Sequence, residues 1–300
     1  MNNTYTNEEI LAAANRVRKK VLQLTIERGG CYLGQACSSA DILATLYMRI
    51  MDLAPSAGKM DAAPFPGVPG PHNMNFPKGS LYNGIAGKEH DRFFLSPAHY
   101  AVVLYCTLAE AGRISYKAID KFNTDGFNME MIGAEHSPGF ETTAGTLGVT
   151  ISIAAGTAHA RKLSGHTGKV YALLSDGEIE EGQAWEAFQA AGFYQLDNLV
   201  VYIDANGHQL EGYTKDVMQL EPLTKRFEAF GAVAVEVDGH DVQQMEAAAQ
   251  TPHPGKPLVV ICRTSCTQGI PFLEKREPYL HFIRFKPDEI PEAKAFLQQM

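Results

Sequence analysis

Apolar positions recur along the chain in two ways, three to four residues apart in some stretches and in short unbroken runs in others. The first spacing is typical of amphipathic helices. It predicts helices at Asn7–Arg28, Ser39–Met51, His99–Gly112 and Thr146–Leu163. We expect Gly29 and Gly30 to end the first helix and Ser38 or Ser39 to cap the second, because glycine stops helices and serine satisfies their first N–H groups.

Short apolar runs in the second half of the chain predict strands, because each spans only four or five residues between polar ones. They are Val170–Leu174, Leu199–Ile203, Val233–Val237 and Leu258–Ile261. Helical stretches such as Glu181–Tyr194 and Val242–Gln250 lie between them, and Glu289–Gln298 is a final helix. This alternation predicts an α/β fold, an open and mostly parallel sheet with helices on both faces. We expect one domain over residues 1–300.

The stretch from 54 to 87 has neither spacing and is rich in proline and glycine. A loop of this length is usually either functional or disordered. Phe65, Phe76, Leu81 and Tyr82 are available to pack against the rest of the chain. We therefore expect an ordered excursion rather than a flexible linker.

The net charge is −8, with 45% hydrophobic and 20% charged residues, as in ordinary globular proteins. This acidic balance argues against nucleic acid as a partner, because its phosphates are normally met by a basic face. No apolar run reaches the length of a membrane span. The five cysteines show no convincing zinc spacing and indicate a reducing cytoplasm. Cys31 with Cys37, or Cys262 with Cys266, could ligate a metal, but free buried cysteines are common.

Polar residues follow two consecutive predicted strands. They are Ser175-Asp176-Gly177-Glu178 and Asp204-Ala205-Asn206-Gly207-His208. The carboxyl ends of parallel strands are where open α/β sheets bind ligands. The Asp176 carboxylate, the Asn206 amide oxygen and a backbone carbonyl of Gly207 or His208 are hard oxygen ligands suited to Mg²⁺ and a diphosphate. Gly177 lets the backbone approach phosphate, and the following helix begins with free N–H donors.

This pattern resembles the thiamine diphosphate signature, an Asp-Gly pair after one strand and an asparagine thirty positions on. The intervening EGQAWEAFQAAGFYQLDNL run resembles transketolases specifically. Other runs that resemble this family are Asp91–His99 (DRFFLSPAH), Pro138–Gly148 (PGFETTAGTLG), Gly34–Leu43 and Gly269–Glu274. The resemblance covers roughly Leu22 to Phe282, broken by the excursion.

The resemblance implies thiamine diphosphate and Mg²⁺ as cofactors and a set of site residues. The metal would be held by Asp176, Asn206 and His208, and the cofactor also by Gly145, Leu147, Gly177 and Glu178. His99 would face the reactive end of the cofactor. Glu181 would either join the hydrogen bonds of a subunit interface or only offset the dipole of the helix that it begins.

Three departures from the family concern histidines. Tyr32 stands where the family has a histidine that touches the donor sugar. His136 directly precedes Ser137 where a Gly-His-Pro run is usual, and His281 is displaced by one place. Imidazoles near a thiamine site can move protons and bind hydroxyls. We therefore expect His99, His136 and His281 to be the catalytic candidates, and a changed sugar rather than a changed cofactor.

The resemblance also implies a function and a partner. It implies two-carbon ketol transfer from a ketose phosphate, or a similarly anionic sugar, to an aldose. A second polypeptide would supply the pyrimidine-binding domain and its glutamate, giving a heterotetramer, with a homodimer when this chain is alone. Other interpretations are the α-subunit of a 2-oxo acid dehydrogenase, deoxyxylulose-phosphate synthase, and a non-catalytic regulatory subunit. The transketolase-like runs favour the first function.

Overall fold

The computed structural model describes residues 5–68 and 70–300; residues 1–4 and Pro69, which fall within the predicted domain and excursion, lie outside the described residues. The described helices are α1 (Asn7–Glu27), α2 (Leu33–Thr45), α3 (Ala101–Glu110), α4 (Tyr116–Ile119), α5 (Val149–Leu163), α6 (Gly182–Phe193), α7 (Thr214–Val217), α8 (Leu223–Ala229), α9 (Val242–Ala249) and α10 (Ile290–Gln299). The strands are β1 (Arg92–Leu95), β2 (Val170–Ser175), β3 (Leu199–Ala205), β4 (His208–Gln209), β5 (Gly212–Tyr213), β6 (Val233–Asp238) and β7 (Leu258–Arg263).

In this described part, five strands form a fully parallel sheet in the order β1-β2-β3-β7-β6. The predicted open, parallel α/β fold is confirmed. Strand β1 was not predicted, because its four residues lie inside a longer polar motif. The Asp91 carboxylate fixes its start by accepting from the backbone N–H groups of Asp52 and Lys169, at 2.8 and 2.7 Å.

Helices cover both faces of this sheet. Alternate strand residues point to opposite sides, so that in β2 Tyr171 and Leu173 pack with α1, α2, α3 and α9. Val170, Ala172 and Leu174 pack instead with α5, α6 and α8. These strands are buried on both faces, which explains why they read as unbroken apolar runs.

The chain reverses its direction across the sheet between β3 and β7. After β3 it continues to β6 at the sheet edge and only then returns to β7, which lies beside β3. Ligands of open α/β sheets bind outside the carboxyl ends of their strands.

Helix α2 begins at Leu33, six residues before the predicted start, and a π-helical turn at Leu46–Ile50 continues it. The predicted N-caps of this helix, Ser38 or Ser39, are therefore wrong. Ser38 and Ser39 lie inside the helix and are fully buried. The Ser39 hydroxyl donates to the carbonyl of Gln35, 2.6 Å away, as serines within helices commonly do.

The excursion from 54 to 87 lies against the rest of the chain. Ala63 donates its N–H to the Asn128 side chain at 2.9 Å, Phe65 donates to the carbonyl of Gly126 at 2.9 Å, and Tyr82 is buried. A short 3₁₀ helix at Gly79–Asn83 precedes β1. Among the helices described, none has the length and apolar content that a membrane span requires.

Candidate active site

A cavity of about 410 Å³ opens at the carboxyl ends of β2 and β3. Nine of the twelve predicted site residues line it, namely His99, Gly145, Leu147, Gly177, Glu178, Glu181, Asn206, His208 and His281. Asp176 and Gly207 border a smaller adjoining cavity. Ser175 of β2 pairs with Asp204 of β3, so Asp176 and Asn206 follow neighbouring strand ends as predicted.

Asp176 is a buried carboxylate held by the backbone. Its Oδ1 accepts from the N–H of Gly177 at 2.9 Å, and its Oδ2 from the N–H of Gly207 at 2.6 Å. Burial, followed by the charge of Asp204, raises the pKa of Asp176 to about 8. None of the ion pairs in the described residues involves Asp176. An ionised Asp176 therefore lacks a compensating positive charge among residues 5–68 and 70–300.

Hydrogen bonds at both the nitrogen and the oxygen of its amide orient the Asn206 side chain. The Nδ2 group donates to Asp204 at 3.0 Å and to the Tyr100 hydroxyl at 3.3 Å, while Oδ1 accepts from the N–H of His208 at 2.9 Å. Gly207 has a φ of +73°, which favours glycine and lets the loop turn tightly. His208 then pairs with Tyr213 in the β4–β5 hairpin, which was not predicted.

Glu178 ties three segments together. Its Oε1 accepts from the Ser96 hydroxyl and from the N–H of Gly148 at 3.0 Å, and its Oε2 accepts from the N–H of Ser175 at 3.4 Å. The side chain is fully buried, and burial raises the pKa of Glu178 to about 7. Its carboxylate thus joins the ends of β1 and β2 to the start of α5. That structural role adds to the predicted role in cofactor binding.

A second strand-end carboxylate, Asp204, was missed by the sequence analysis. Its Oδ2 accepts from Ser38 at 2.6 Å and Tyr100 at 2.7 Å, besides Asn206. Its Oδ1 accepts from Thr264 at 2.5 Å. We call these five residues the Asp204 network. The network joins α2, β3 and the end of β7. It includes Asn206, which is also a metal-binding candidate.

Two imidazoles form one wall of the site, and the ring of Tyr32, which does not itself line the cavity, packs against them. The Tyr32 ring lies 5.0 Å from His99 and 5.5 Å from His281, and the two imidazoles are 4.8 Å apart. Burial, and next the neighbouring His281, lowers the pKa of His99 to about 3; burial also lowers the pKa of His281. Both rings are therefore neutral near pH 7. Gln35 contacts this wall from α2, a position that the sequence did not single out.

A backbone bridge holds Tyr32 and His281 together across the chain. Cys31 donates its N–H to the carbonyl of Ile283 at 3.0 Å, and Ile283 donates to Cys31 at 2.9 Å. Close packing continues at Gly34, where an added Cβ would lie 2.3 Å from the carbonyl oxygen of Leu280. We call this contact the Cys31–Ile283 bridge.

His136 is not brought together with the other candidates. It does not line the cavity; its ring stacks on Phe65 at 4.3 Å, and its Nε2 lies 2.7 Å from Glu130. Glu181, by contrast, is exposed directly before α6, and an added Cβ on Gly148 would lie 2.9 Å from its Cβ. The catalytic role of His136 stays a prediction without support from this placement.

The cysteines give no sign of a metal site. All five are free and buried. Within residues 5–68 and 70–300, no group of three or more His, Cys, Asp or Glu side chains is placed to hold a metal ion. The Mg²⁺ ligands predicted above are one carboxylate, one amide oxygen and a backbone carbonyl. This set does not require three His, Cys, Asp or Glu side chains to lie together.

The comparison with family models agrees with this geometry. The model of the transketolase thiamine diphosphate binding domain matches residues 84–298, more than two thirds of the chain. The chain belongs to the transketolase family. The predicted family, and with it the prediction of a transketolase-type enzyme subunit, is confirmed.

Several transketolase relatives match nearly the whole chain. A putative uncharacterized transketolase family protein of Sinorhizobium fredii is 36% identical, covering 93% of this chain and 92% of that protein. An apulose-4-phosphate transketolase subunit of Actinobacillus succinogenes is 33% identical, covering 95% of each. A 6-deoxy-6-sulfo-D-fructose transketolase subunit of a Clostridium species is 31% identical, covering 87% of this chain and 86% of that one.

Solved transketolases share the fold but are longer. The enzyme from Campylobacter jejuni superposes with a TM-score of 0.75 at 22% identity, covering 98% of this chain and 43% of that one. A Pichia stipitis transketolase complex with sedoheptulose-7-phosphate gives 0.74 at 23% identity, covering 97% and 41%. The chain thus spans less than half the length of these solved transketolases.

Proposed function

We propose that this protein is the N-terminal subunit of a thiamine diphosphate- and Mg²⁺-dependent transketolase. It transfers a two-carbon ketol unit from a ketose to an aldose together with a separate C-terminal subunit. Two relatives of similar length that are named as transketolase subunits support the split arrangement. The sugars in their names, apulose-4-phosphate and 6-deoxy-6-sulfo-D-fructose, support an anionic sugar as the substrate class.

The observation that carries this proposal is the placement of Asp176 and Asn206 at neighbouring strand ends beside the cavity. Each Asp176 oxygen accepts one backbone N–H and keeps a lone pair for a cation. A bound Mg²⁺ would supply the positive charge that this buried carboxylate lacks. The residues present therefore fit the metal that the family implies.

Further polar atoms around the cavity also fit a polar ligand. Gln35 Oε1, His208 Nε2 and Gln209 Oε1 are buried and make no hydrogen bond within the described part of the chain. Buried polar atoms are normally paired, so such atoms around one cavity call for an explanation. We attribute them to contacts that are completed when cofactor or substrate binds.

The chemistry is divided between the cofactor and the chain. When bound, thiamine diphosphate supplies the nucleophilic carbon and the electron sink of ketol transfer. Asp176 and Asn206 hold the Mg²⁺ on the diphosphate, with the backbone at Gly177 beside the phosphates. His99 and His281, which are neutral, orient sugar hydroxyls by hydrogen bonds. Tyr32 closes the wall behind both imidazoles.

The charges around the cavity indicate what the second subunit contributes. The described lining residues include Glu178, Glu180, Glu181 and Glu211 but no lysine or arginine. A sugar phosphate needs cationic or N–H donors. We therefore assign contacts to the anionic end of the sugar to the C-terminal subunit. That subunit would also supply the pyrimidine-binding domain and its glutamate, in a cytoplasmic heterotetramer.

The proposal is tested by an assay of ketol transfer. The purified chain is mixed with Mg²⁺, thiamine diphosphate, a ketose phosphate and an aldose, with and without the C-terminal subunit. We expect turnover only when both subunits are present, and size-exclusion chromatography with light scattering should give a heterotetramer. The chain alone should be a homodimer, because a surface meant for the partner is then exposed.

Controls separate this function from the alternatives. The complex with Asp176→Asn serves as the inactive control, and Asp197→Asn, which alters a surface carboxylate paired with Lys162, as the active one. Robust turnover by the lone chain would contradict the split arrangement. Decarboxylation of 2-oxo acids without ketol transfer would favour the α-subunit of a dehydrogenase. If the partner is fully active without this chain, a regulatory role is favoured.

A further inference from the structure

Gln35 lies at a position where it contacts one of the candidate catalytic imidazoles. It belongs to the first turn of α2, is only 3% exposed and lines the cavity. Its Nε2 lies 2.9 Å from Nδ1 of His281, a residue 246 positions away in the chain. Because the Gln35 amide nitrogen that faces Nδ1 can only donate, Nδ1 is the acceptor in this contact and the ring proton lies on the other nitrogen.

The state of His281 follows from this contact. Burial lowers the pKa of His281, so the ring is neutral near pH 7 and carries one proton. Because Nδ1 accepts from the Gln35 amide, that proton lies on Nε2. No hydrogen bond to Nε2 is formed within the described residues, so this N–H is available to a ligand in the cavity.

The other neighbours of His281 fix the ring without choosing its tautomer. Tyr32 meets it edge-on, with centroids 5.5 Å apart and planes at 87°, and His99 lies 4.8 Å away. These ring contacts restrict the position of the imidazole but distinguish poorly between its nitrogens. Gln35 Oε1 has no partner among the described residues, so the contact with His281 is the one hydrogen bond that the Gln35 side chain makes there.

We propose that Gln35 is a positioning residue that holds His281 in the Nε2–H tautomer, so that the ring presents a hydrogen-bond donor to an oxygen of the bound sugar. The part that concerns the sugar rests on the proposed function, whereas the tautomer does not. A neutral Nε2–H ring donates to a carbonyl or hydroxyl oxygen and does not accept a proton from it. His281 is thus a donor to the substrate rather than a base.

The tautomer can be measured without any activity. Long-range ¹⁵N–¹H NMR spectra of the full chain, labelled at histidine, distinguish a protonated Nε2 from a protonated Nδ1. A His281→Gln variant assigns the signal. We expect the Nε2–H form in the unmodified chain and in Gln243→Met, a control at an exposed position of α9. Gln35→Met, which keeps the length but removes the amide, should give a mixture of both tautomers.

A charged variant provides a sharper test. In Gln35→Glu the new carboxylate would accept from Nδ1, moving the proton there and raising the pKa of His281. The other titratable groups facing this ring are His99, Tyr32 and Glu211. At high pH the variant should have Nδ1–H and no donor at Nε2. At low pH the ring becomes doubly protonated and regains its Nε2–H.

Kinetics of the two-subunit complex test the consequence for the sugar. Gln35→Met should lower kcat about tenfold, the equivalent of one hydrogen bond, with unchanged affinity for thiamine diphosphate. Gln35→Glu should be similarly impaired at high pH and recover as the pH falls, which a purely structural defect would not do. Circular dichroism and Gln243→Met control for folding.

The outcomes separate the two proposals. An Nδ1–H ring in the unmodified chain, or an unchanged tautomer in both Gln35 variants, would overturn the positioning role. A tautomer change with kcat unaffected would overturn the donation to the sugar. A complex without any ketol transfer would contradict the proposed function, while the NMR measurement would still decide the tautomer.

Discussion

Asp176 and Asp204 each come at the end of an apolar run in the sequence, yet their carboxylates have different hydrogen-bond donors in the fold. Asp204 accepts hydrogen bonds from four side chains, those of Ser38, Tyr100, Asn206 and Thr264. Asp176, one position beyond the residue paired with Asp204, accepts only backbone N–H groups in the described structure. Donors from other side chains surround Asp204, whereas Asp176 has no side-chain partner among the described residues.

This difference extends to the groups around each carboxylate. The Asp204 network lies towards β7 and is paired throughout, whereas the cavity side includes polar atoms without partners in the part of the chain that the structure describes, such as His208 Nε2. We therefore expect stability and ligand binding to depend differently on Asp204 and Asp176, with Asn206 belonging to both groups. Isosteric substitutions at the two carboxylates should separate these contributions.

The largest effect is expected from Asp176→Asn. It removes the charged metal ligand and should weaken Mg²⁺-dependent binding of thiamine diphosphate by more than about a hundredfold, beyond what changes next to metal ligands cause. Stability should fall less than in Asp204→Asn, because the amide leaves one backbone N–H without an acceptor but also removes a buried carboxylate whose ionised form is unfavourable. Calorimetric titration with the partner subunit present measures the affinity, and urea denaturation measures the stability. Asn206→Ala should also abolish binding, and near-wild-type affinity in both variants would refute the metal assignment.

Asp204→Asn should instead lower the stability of the fold. Its amide cannot accept from all four donors, so the free energy of unfolding should fall by about 3 kcal/mol through groups left unsatisfied. Urea denaturation of the chain measures this loss. Asp197→Asn, at the opposite ends of the strands, is the matched surface control and should cost much less. If Asp204→Asn is as stable as the parent, the network does not carry stability.

The cavity side should also make the chain sensitive to mild acid. The pKa of His99 in the folded state is about 3, against an unfolded value of about 6.5. A lowered histidine pKa contributes stability above the unfolded value that is lost as the pH falls towards the folded one. Between pH 7 and pH 5, His99 should therefore lower the free energy of unfolding by about 2 kcal/mol.

This acid sensitivity is checked by urea denaturation at both pH values. His99→Gln should flatten the dependence, whereas His72→Gln, at an exposed position, should leave it unchanged. An identical slope in the His99 variant would show that this imidazole is hydrated or paired in solution.

A smaller effect is expected from Tyr32→His. If Tyr32 lines the path of the donor, the substitution should change the ratio of kcat/KM between two ketose donors by about fivefold, a typical value for one altered pocket contact. Cofactor affinity should barely change. Tyr279→His, at a position that is 68% exposed, is the control. A uniform loss for all donors would show that Tyr32 only packs against His99 and His281.

The fold, and the placement of Asp176 and Asn206 at neighbouring strand ends, could be predicted because both depend on local pattern. Apolar runs gave β2, β3, β6 and β7, and Asp176 and Asn206 stand where neighbouring parallel strands end together. The boundary of α2 could not be predicted in this way. Ser38 looks like a cap by itself, but the Asp204 carboxylate pairs with its hydroxyl inside the helix.

The sequence did not reveal roles that depend on partners far away in the chain, and it put one residue in the site that lies elsewhere. Nothing in the sequence near Asp204 indicates that donors from several other segments converge on it. Gln35 gives no signal either, since its partner His281 is contributed by the far end of the chain. His136 was singled out by its place beside a family motif, but local spacing cannot tell that its ring stacks on Phe65 of the excursion.

The Cys31–Ile283 bridge has a consequence for the order in which the protein forms. Its two partners are about 250 positions apart, so their meeting closes nearly the whole chain into a loop. During synthesis, the wall containing Tyr32 and His281 cannot assemble until this last stretch has left the ribosome. The sheet and its strand-end carboxylates need only the chain up to β7 and Thr264, which is about twenty positions earlier. Metal-binding geometry should thus mature before sugar-binding geometry, and a nascent chain released early would be a cofactor holder with an unfinished substrate pocket.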